Sequence, residues 1–268
     1  MLTWLFRKLR YLIYIYYLSI MKTFFTLFRI ESKIAFFRHI DSLFFAVIMP
    51  VVIALIIGYV MGDKQAVEGS GYTFLQTSFG ALATIGICCS GLMGFPMAVA
   101  AYRDKKILKR FRVTPVSPAV LLWAQVAGCF LLVMVSLLAV YAACSLLLGY
   151  KMEGSAGMFL VAYLAVVLAI YGIGILIAGM ARNMKAANVL TTLVFFPMLL
   201  FSGATIPYEV MPGGAQRVMD FLPLTQGIKM LKGVSLGAPL ADYYFQFILM
   251  IVLFVVCTGI AVRVFRWE

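Results

Sequence analysis

Arg103, Lys105, Lys106, Lys109, Arg110 and Arg112 place six cationic groups, with Asp104 among them, in a short segment between two apolar runs. Ammonium and guanidinium groups in such a cluster do not make or break bonds; they grip anionic surfaces. Ile107, Leu108 and Phe111 fall on one face of a helix drawn through the segment. Pro115 and Pro118 end that helix and restart the chain as the next run. A short amphipathic helix tied rigidly between two membrane spans can transmit force, so a partner that holds it moves both spans. The same composition also suits an anchor held to anionic lipid.

Groups that other chemistries need are missing or isolated. His39 is the single histidine, so it has no partner for a metal or a triad. Cys88, Cys89, Cys129, Cys144 and Cys257 all lie in apolar runs without metal-ligand spacing, and they read as small apolar helix residues. Paired carboxylates are lacking, which argues against an intramembrane enzyme. No Gly-Lys pair occurs, so the chain has no Walker A phosphate loop of its own. The apolar runs contain no Asp, Glu, Lys, Arg or His, whereas ion-coupled carriers usually bury one on the ion path. A mover of solutes built this way draws its energy from another subunit. A secondary carrier or channel is the alternative, and transport by the chain alone on an ion gradient would support it. Within the runs, Tyr171, Phe195, Phe196 and Met198 offer a lining for an apolar or amphipathic solute, although a residue of this kind is more often packing than pathway.

The elements that position these groups follow from composition. Of 268 residues, 64% are hydrophobic and only 12% charged, against about 25% charged in a soluble domain. About 20 apolar residues in helix cross the roughly 30 Å hydrocarbon layer. Six runs qualify: 43–61, 72–101, 118–149, 158–181, 186–202 and 243–262. Lipid forces each into helix, because unpaired backbone groups there cost several kcal/mol. Pro96 is expected to kink the second.

The net charge is +12, and its placement is the topology signal. Lys and Arg concentrate before the first run, after the second, after the fourth and at the C-terminus, and are sparse in the alternate loops. The positive-inside rule then puts both termini in the cytoplasm. No soluble basic domain is present to bind nucleic acid. Residues 1–41 read as a cytoplasmic segment. Within it, residues 24–41 carry Leu27, Ile30, Ile34 and Phe37 at helical spacing among Arg29, Lys33, Arg38 and His39, the pattern of an interfacial helix turning into the first span. Residues 1–20 read as an extension, since Met21 would serve as a start. Residues 42–268 form the six-span unit.

Residues 203–240 are unusually apolar for a connection. Pro207, Pro212, Gly213, Gly214, Pro223 and Pro239 break the segment into short pieces, with helix-compatible stretches at 208–221 and 224–234. Neither stretch is long enough to cross a bilayer. A pair of short helices that dip into the outer leaflet and return, their backbone buried against protein, satisfies both facts.

These segments resemble the ABC transporter permeases of type 2, over nearly the whole chain from Met21. The features are the interfacial helix, the Tyr102-Arg-Asp-Lys-Lys loop ending at Pro118, the Phe201-Ser-Gly-Ala-Thr-Ile-Pro-Tyr-Glu-Val-Met-Pro212 segment, and Phe221-Leu-Pro-Leu-Thr-Gln226. The Phe265-Arg-Trp267 ending is similar to the drug and antibiotic-exporter branch. The resemblance implies an all-α integral membrane fold with an N-terminal elbow helix. It implies a coupling helix at Arg103–Arg112 within the loop 102–118, docking on an ATPase. It implies a re-entrant gate across 203–240 that includes Pro207, Tyr208, Pro212, Phe221 and Pro223. It further implies a second permease chain, identical or homologous, with ATP and Mg bound by the partner ATPase and no cofactor on this chain. Members export drugs, antibiotics, peptides, lipids or polysaccharides from prokaryotic cells.

Overall fold

A computed structural model of the chain describes residues 21–33, 43–61, 71–107, 118–205, 208 and 211–264. The expectations for residues 1–20, Ile34, Phe37, Arg38 and His39, and for the Phe265-Arg-Trp267 ending, lie outside the described residues.

Among the described residues, helix follows helix and six are long and apolar enough to span a membrane. Helix α1 covers residues 21–33. The spanning helices are α2 (Phe44–Met61), α3 (Phe74–Asp104), α4 (Pro118–Leu148), α5 (Ala156–Met180) and α6 (Met184–Phe201). Two short helices follow, α7 (Gly213–Asp220) and α8 (Pro223–Ser235), before the last span α9 (Tyr244–Val264). The boundaries fall within a few residues of those read from hydropathy, because the length of an apolar run is what lipid reads. The main difference is that α3 continues to Asp104, which brings Arg103 and Asp104 into the helix. The 208–221 stretch also shortens: helix begins only after Pro212, whose extended backbone (φ −56°, ψ 146°) sets the start.

Helices α3 and α5 form the centre, and both are mostly buried. Helix α9 lies along α5, α2 lies against α3 and α4, and α6 packs on the second half of α3. Small residues set the closest approaches, as expected where lipid supplies no hydrophobic drive between helices. A Cβ built on Gly174 of α5 would stand 2.1 Å from the backbone oxygen of Gly91 in α3. Cys88, Cys89, Cys129, Cys144 and Cys257 are buried thiols, in keeping with their reading as small apolar residues.

Two stretches depart from α geometry. Residues Phe44–Ile48 of α2 and Cys89–Gly94 of α3 are π-helical, with i→i+5 bonds from Met49 N–H to Phe44 O and from Phe95 N–H to Ser90 O. The two stretches pack against each other. The expected disturbance at Pro96 therefore takes the form of a wide turn on its N-terminal side. Proline has no N–H to donate, so a carbonyl of the preceding turn loses its partner. The i→i+5 donor of Gly91 O would be Pro96 itself, and this carbonyl faces Gly174. The Tyr171 hydroxyl closes the wide turn, lying 2.8 Å from Ser90 Oγ, and Ser90 donates on to Cys129 O of α4 at 3.4 Å.

Candidate functional site

The basic segment starts on an anchored base. Arg103, in the last turn of α3, is 9% exposed. Its Nη1 donates to Ala178 O at 2.5 Å and also to Ala181 O. Both carbonyls lie at the C-terminal end of α5, where the helix dipole leaves partial negative charge and unpaired acceptors. Asp104, the next residue, accepts from Met184 N–H at 3.1 Å, at the positive N-terminal end of α6. Asn183 caps the same end, its Oδ1 accepting from Ala186 N–H at 2.8 Å. One Arg-Asp pair thus clasps both ends of the α5–α6 turn, each charge set against the dipole end of opposite sign.

Lys105 and Lys106 project beyond the clasp and are exposed. Lys106 takes a left-handed backbone (φ 55°) that stops the helix, with its N–H bonded to Arg103 O at 2.9 Å. Ile107 is half-buried. Leu108, Lys109, Arg110, Phe111 and Arg112 lie outside the described residues.

A second attachment joins this end of α3 to α1. The Tyr102 hydroxyl donates to Glu31 Oε1 at 2.6 Å, across 71 residues of sequence, and lies 3.3 Å from Gln125 Oε1 of α4. Glu31 is only 6% exposed. The inward face of α1 carries Phe24, Leu27, Phe28 and Glu31, while Ile30 points outward. Helical spacing alone sets Leu27 beside Ile30 and gives Glu31 no role. A single carboxylate in an amphipathic helix looks solvated, and only its distant phenol partner reveals otherwise.

At the opposite end of α3, α8 is wedged against α3 and α5. The fit depends on Gly80: a Cβ there would lie 2.9 Å from Lys232 N. Leu224, Ile228, Met230 and Leu231 are buried by this wedge. Phe221, in the turn between α7 and α8, is 90% exposed. Pro212 is the residue just before α7, and Pro223 is the first residue of α8. Pro207 lies outside the described residues. Lys229 ties the segment together, with its Nζ 2.5 Å from Asp220 Oδ1 and 4.3 Å over the Tyr208 ring. The Tyr208 hydroxyl donates to Asp220 Oδ2 at 3.2 Å. Partial burial pulls the Lys229 pKa down, but the bonds to Asp220 and Tyr208 outweigh this and raise it above the ordinary value. A raised lysine pKa contributes stability that is complete below the unfolded value and is lost as pH rises through the folded one, so the link holds throughout neutral pH. The sequence signal for this triad was weak, since Asp220 and Lys229 belong to different short helices.

The four residues read as a solute lining do not share one surface. Tyr171, Phe195 and Met198 are buried within the chain, whereas Phe196 is 51% exposed. Phe196 lies with Val189, Leu193 and Leu200 on an outward apolar stripe of α6.

A bundle of this kind, with no Asp, Glu, Lys, Arg or His in the middle of its described spans and polar clusters at its two ends, defines a multi-pass membrane protein. The chain belongs to the ABC-2 type transporter family, whose sequence profile matches residues 22–236. It is similar to the inner membrane transport permease YhhJ of Escherichia coli (strain K12), with 28% identity over 138 residues, 51% of this chain and 37% of that one. It is also similar to nodulation protein J of Rhizobium leguminosarum bv. viciae, with 33% identity over 75 residues, 28% of this chain and 29% of that one. Nodulation protein J of Rhizobium meliloti (strain 1021) matches at 34% over 73 residues. The matched stretches thus span well under half the length of these curated relatives.

Proposed function

We propose that this chain is the membrane-spanning permease of an ATP-driven exporter, powered by a separate ATPase subunit that docks on residues 103–112. The substrate is apolar or amphipathic, of drug, antibiotic, peptide or lipid-like class. The observation that carries the reading is the clasp at Arg103 and Asp104. It supports the loop as a handle, because displacement of the loop is passed at once to α3 and to the α5–α6 turn. Tyr102 and Glu31 extend that linkage to α1.

A second permease chain, identical or homologous, completes the unit in this reading. The exposed apolar stripe of α6 supports a path between two chains, with Phe196 on it and with Tyr171, Phe195 and Met198 supporting it from behind. Helices α7 and α8, bound by Lys229, act as the outward gate. The excess of Lys and Arg on one side supports both termini in the cytoplasm of a prokaryotic cell. ATP and Mg belong to the partner, and nothing in the chain's basic segment calls for nucleic acid.

The test is a triple charge reversal, Lys105→Glu, Lys106→Glu and Arg110→Glu, assayed for ATP-dependent efflux with the copurified ATPase. Efflux is expected to fall about tenfold or more, the loss of roughly 1.4 kcal/mol of coupling or greater, while membrane insertion persists. Unchanged efflux removes the docking assignment.

A further inference from the structure

We propose that the cavity between α2, α3, α8 and α9 binds the anionic headgroup of an amphiphile, a phosphate or carboxylate whose apolar chain lies along the α2–α3 wall. The cavity has a volume of about 380 Å³, within the range of small-ligand sites. Its wall carries Lys229 and Lys232 and, among the described residues, no acidic side chain. Thr225 also lines it. The Thr225 hydroxyl is buried, with the residue 1% exposed, and has no hydrogen-bond partner among the described residues. A buried hydroxyl without a partner has a desolvation cost that a bound acceptor would remove.

These three residues lie at positions i, i+4 and i+7 of α8, so they present one face. The face is held in advance. Lys229 is fixed from behind by Asp220 and Tyr208, and α8 is locked at Gly80, so binding orders little that is not already ordered. Lysine serves as a point charge toward phosphate, and the hydroxyl adds direction. Helices α2 and α3 contribute Ile57, Phe74, Ala81 and Leu82, together with Ser78 and with Thr77, whose hydroxyl is taken up by Phe74 O. A wall so divided suits a molecule with one charged end.

Native mass spectrometry of the full chain in neutral detergent tests this, titrated in turn with phosphatidylglycerol, phosphatidylcholine and inorganic phosphate. Phosphatidylglycerol is expected to bind at least about fivefold tighter than phosphatidylcholine. Thr225→Val, which keeps shape, and Lys232→Gln should each weaken it roughly fivefold, the size of one lost hydrogen bond or charge contact. Lys151→Gln, on an exposed loop residue, should leave it unchanged. Inorganic phosphate that binds wild type and is lost in both variants supports the anion site with a soluble source. Equal binding of the two lipids, or unaltered phosphatidylglycerol binding in both variants, overturns it. The experiment needs neither nucleotide nor partner, so its outcome is separate from that of the charge reversal.

Discussion

Arg103→Met is expected to lower the stability of the purified chain by about 2 kcal/mol, the scale of hydrogen bonds made by a charged donor. Thermal unfolding in detergent would measure it. The methionine fills most of the space but donates nothing to Ala178 O and Ala181 O. Two carbonyls at the end of α5 then lose a cation that matched the helix dipole. Asp104→Asn should cost far less, about 0.5 kcal/mol, because the amide oxygen can still accept from Met184 N–H. Arg103→Lys should recover part of the loss, since an ammonium keeps the charge but not the fork of donors. Equal stabilities for Arg103→Met and wild type would show that the clasp carries no load. If the chain is the ATP-driven permease proposed above, Arg103→Met should lower efflux more than it lowers ATP hydrolysis by the complex, because the handle would then move without α5 and α6.

The spans were legible in the sequence for a simple reason. A run of apolar residues has one structural solution in lipid, and its ends are marked by the first charges. What those end charges do was not legible. Arg103 reads as a topology signal, and nothing local shows that it turns inward to the α5 carbonyls. Glu31 reads as solvated until Tyr102, far along the chain, is placed beside it. The segment after α6 was legible as short broken helices because Pro212 and Pro223 punctuate it. The burial of Ile228, Met230 and Leu231 agrees with its apolar composition, but the cavity beside them has no sequence signature. The lining residues were the least legible, since an aromatic in a membrane helix looks the same whether it faces a neighbour, a path or lipid.

Gly174→Ala should be the most damaging glycine-to-alanine change within the spanning helices. In most helices alanine is favoured over glycine by about 1 kcal/mol. Here the added Cβ would lie 2.1 Å from Gly91 O and 3.2 Å from Gly91 C, both backbone atoms that no rotamer change can move. Helices α3 and α5 must separate, and they form the centre of the fold. A loss at or above the upper end of the roughly 1–3 kcal/mol typical of overpacking is expected. The readout is the amount of monodisperse chain recovered from membranes by fluorescence-detected size exclusion. Gly259→Ala, in α9, is the control, since its Cβ would meet nothing within 4 Å. Equal recovery of the two variants would mean that the central helices tolerate spreading.

The wide turn at Cys89–Gly94 gives α3 an expansion joint. A π turn holds one residue more than an α turn in the same span of helix. Migration of that surplus residue along the rod would shift only the stretch it crosses, by about 1.5 Å and about 100°, while most backbone bonds persist. The second such turn, at Phe44–Ile48 in α2, sits alongside. A tug at the basic end of α3 therefore need not arrive at the far end as a rigid push; the slack at mid-bundle can convert part of it into rotation.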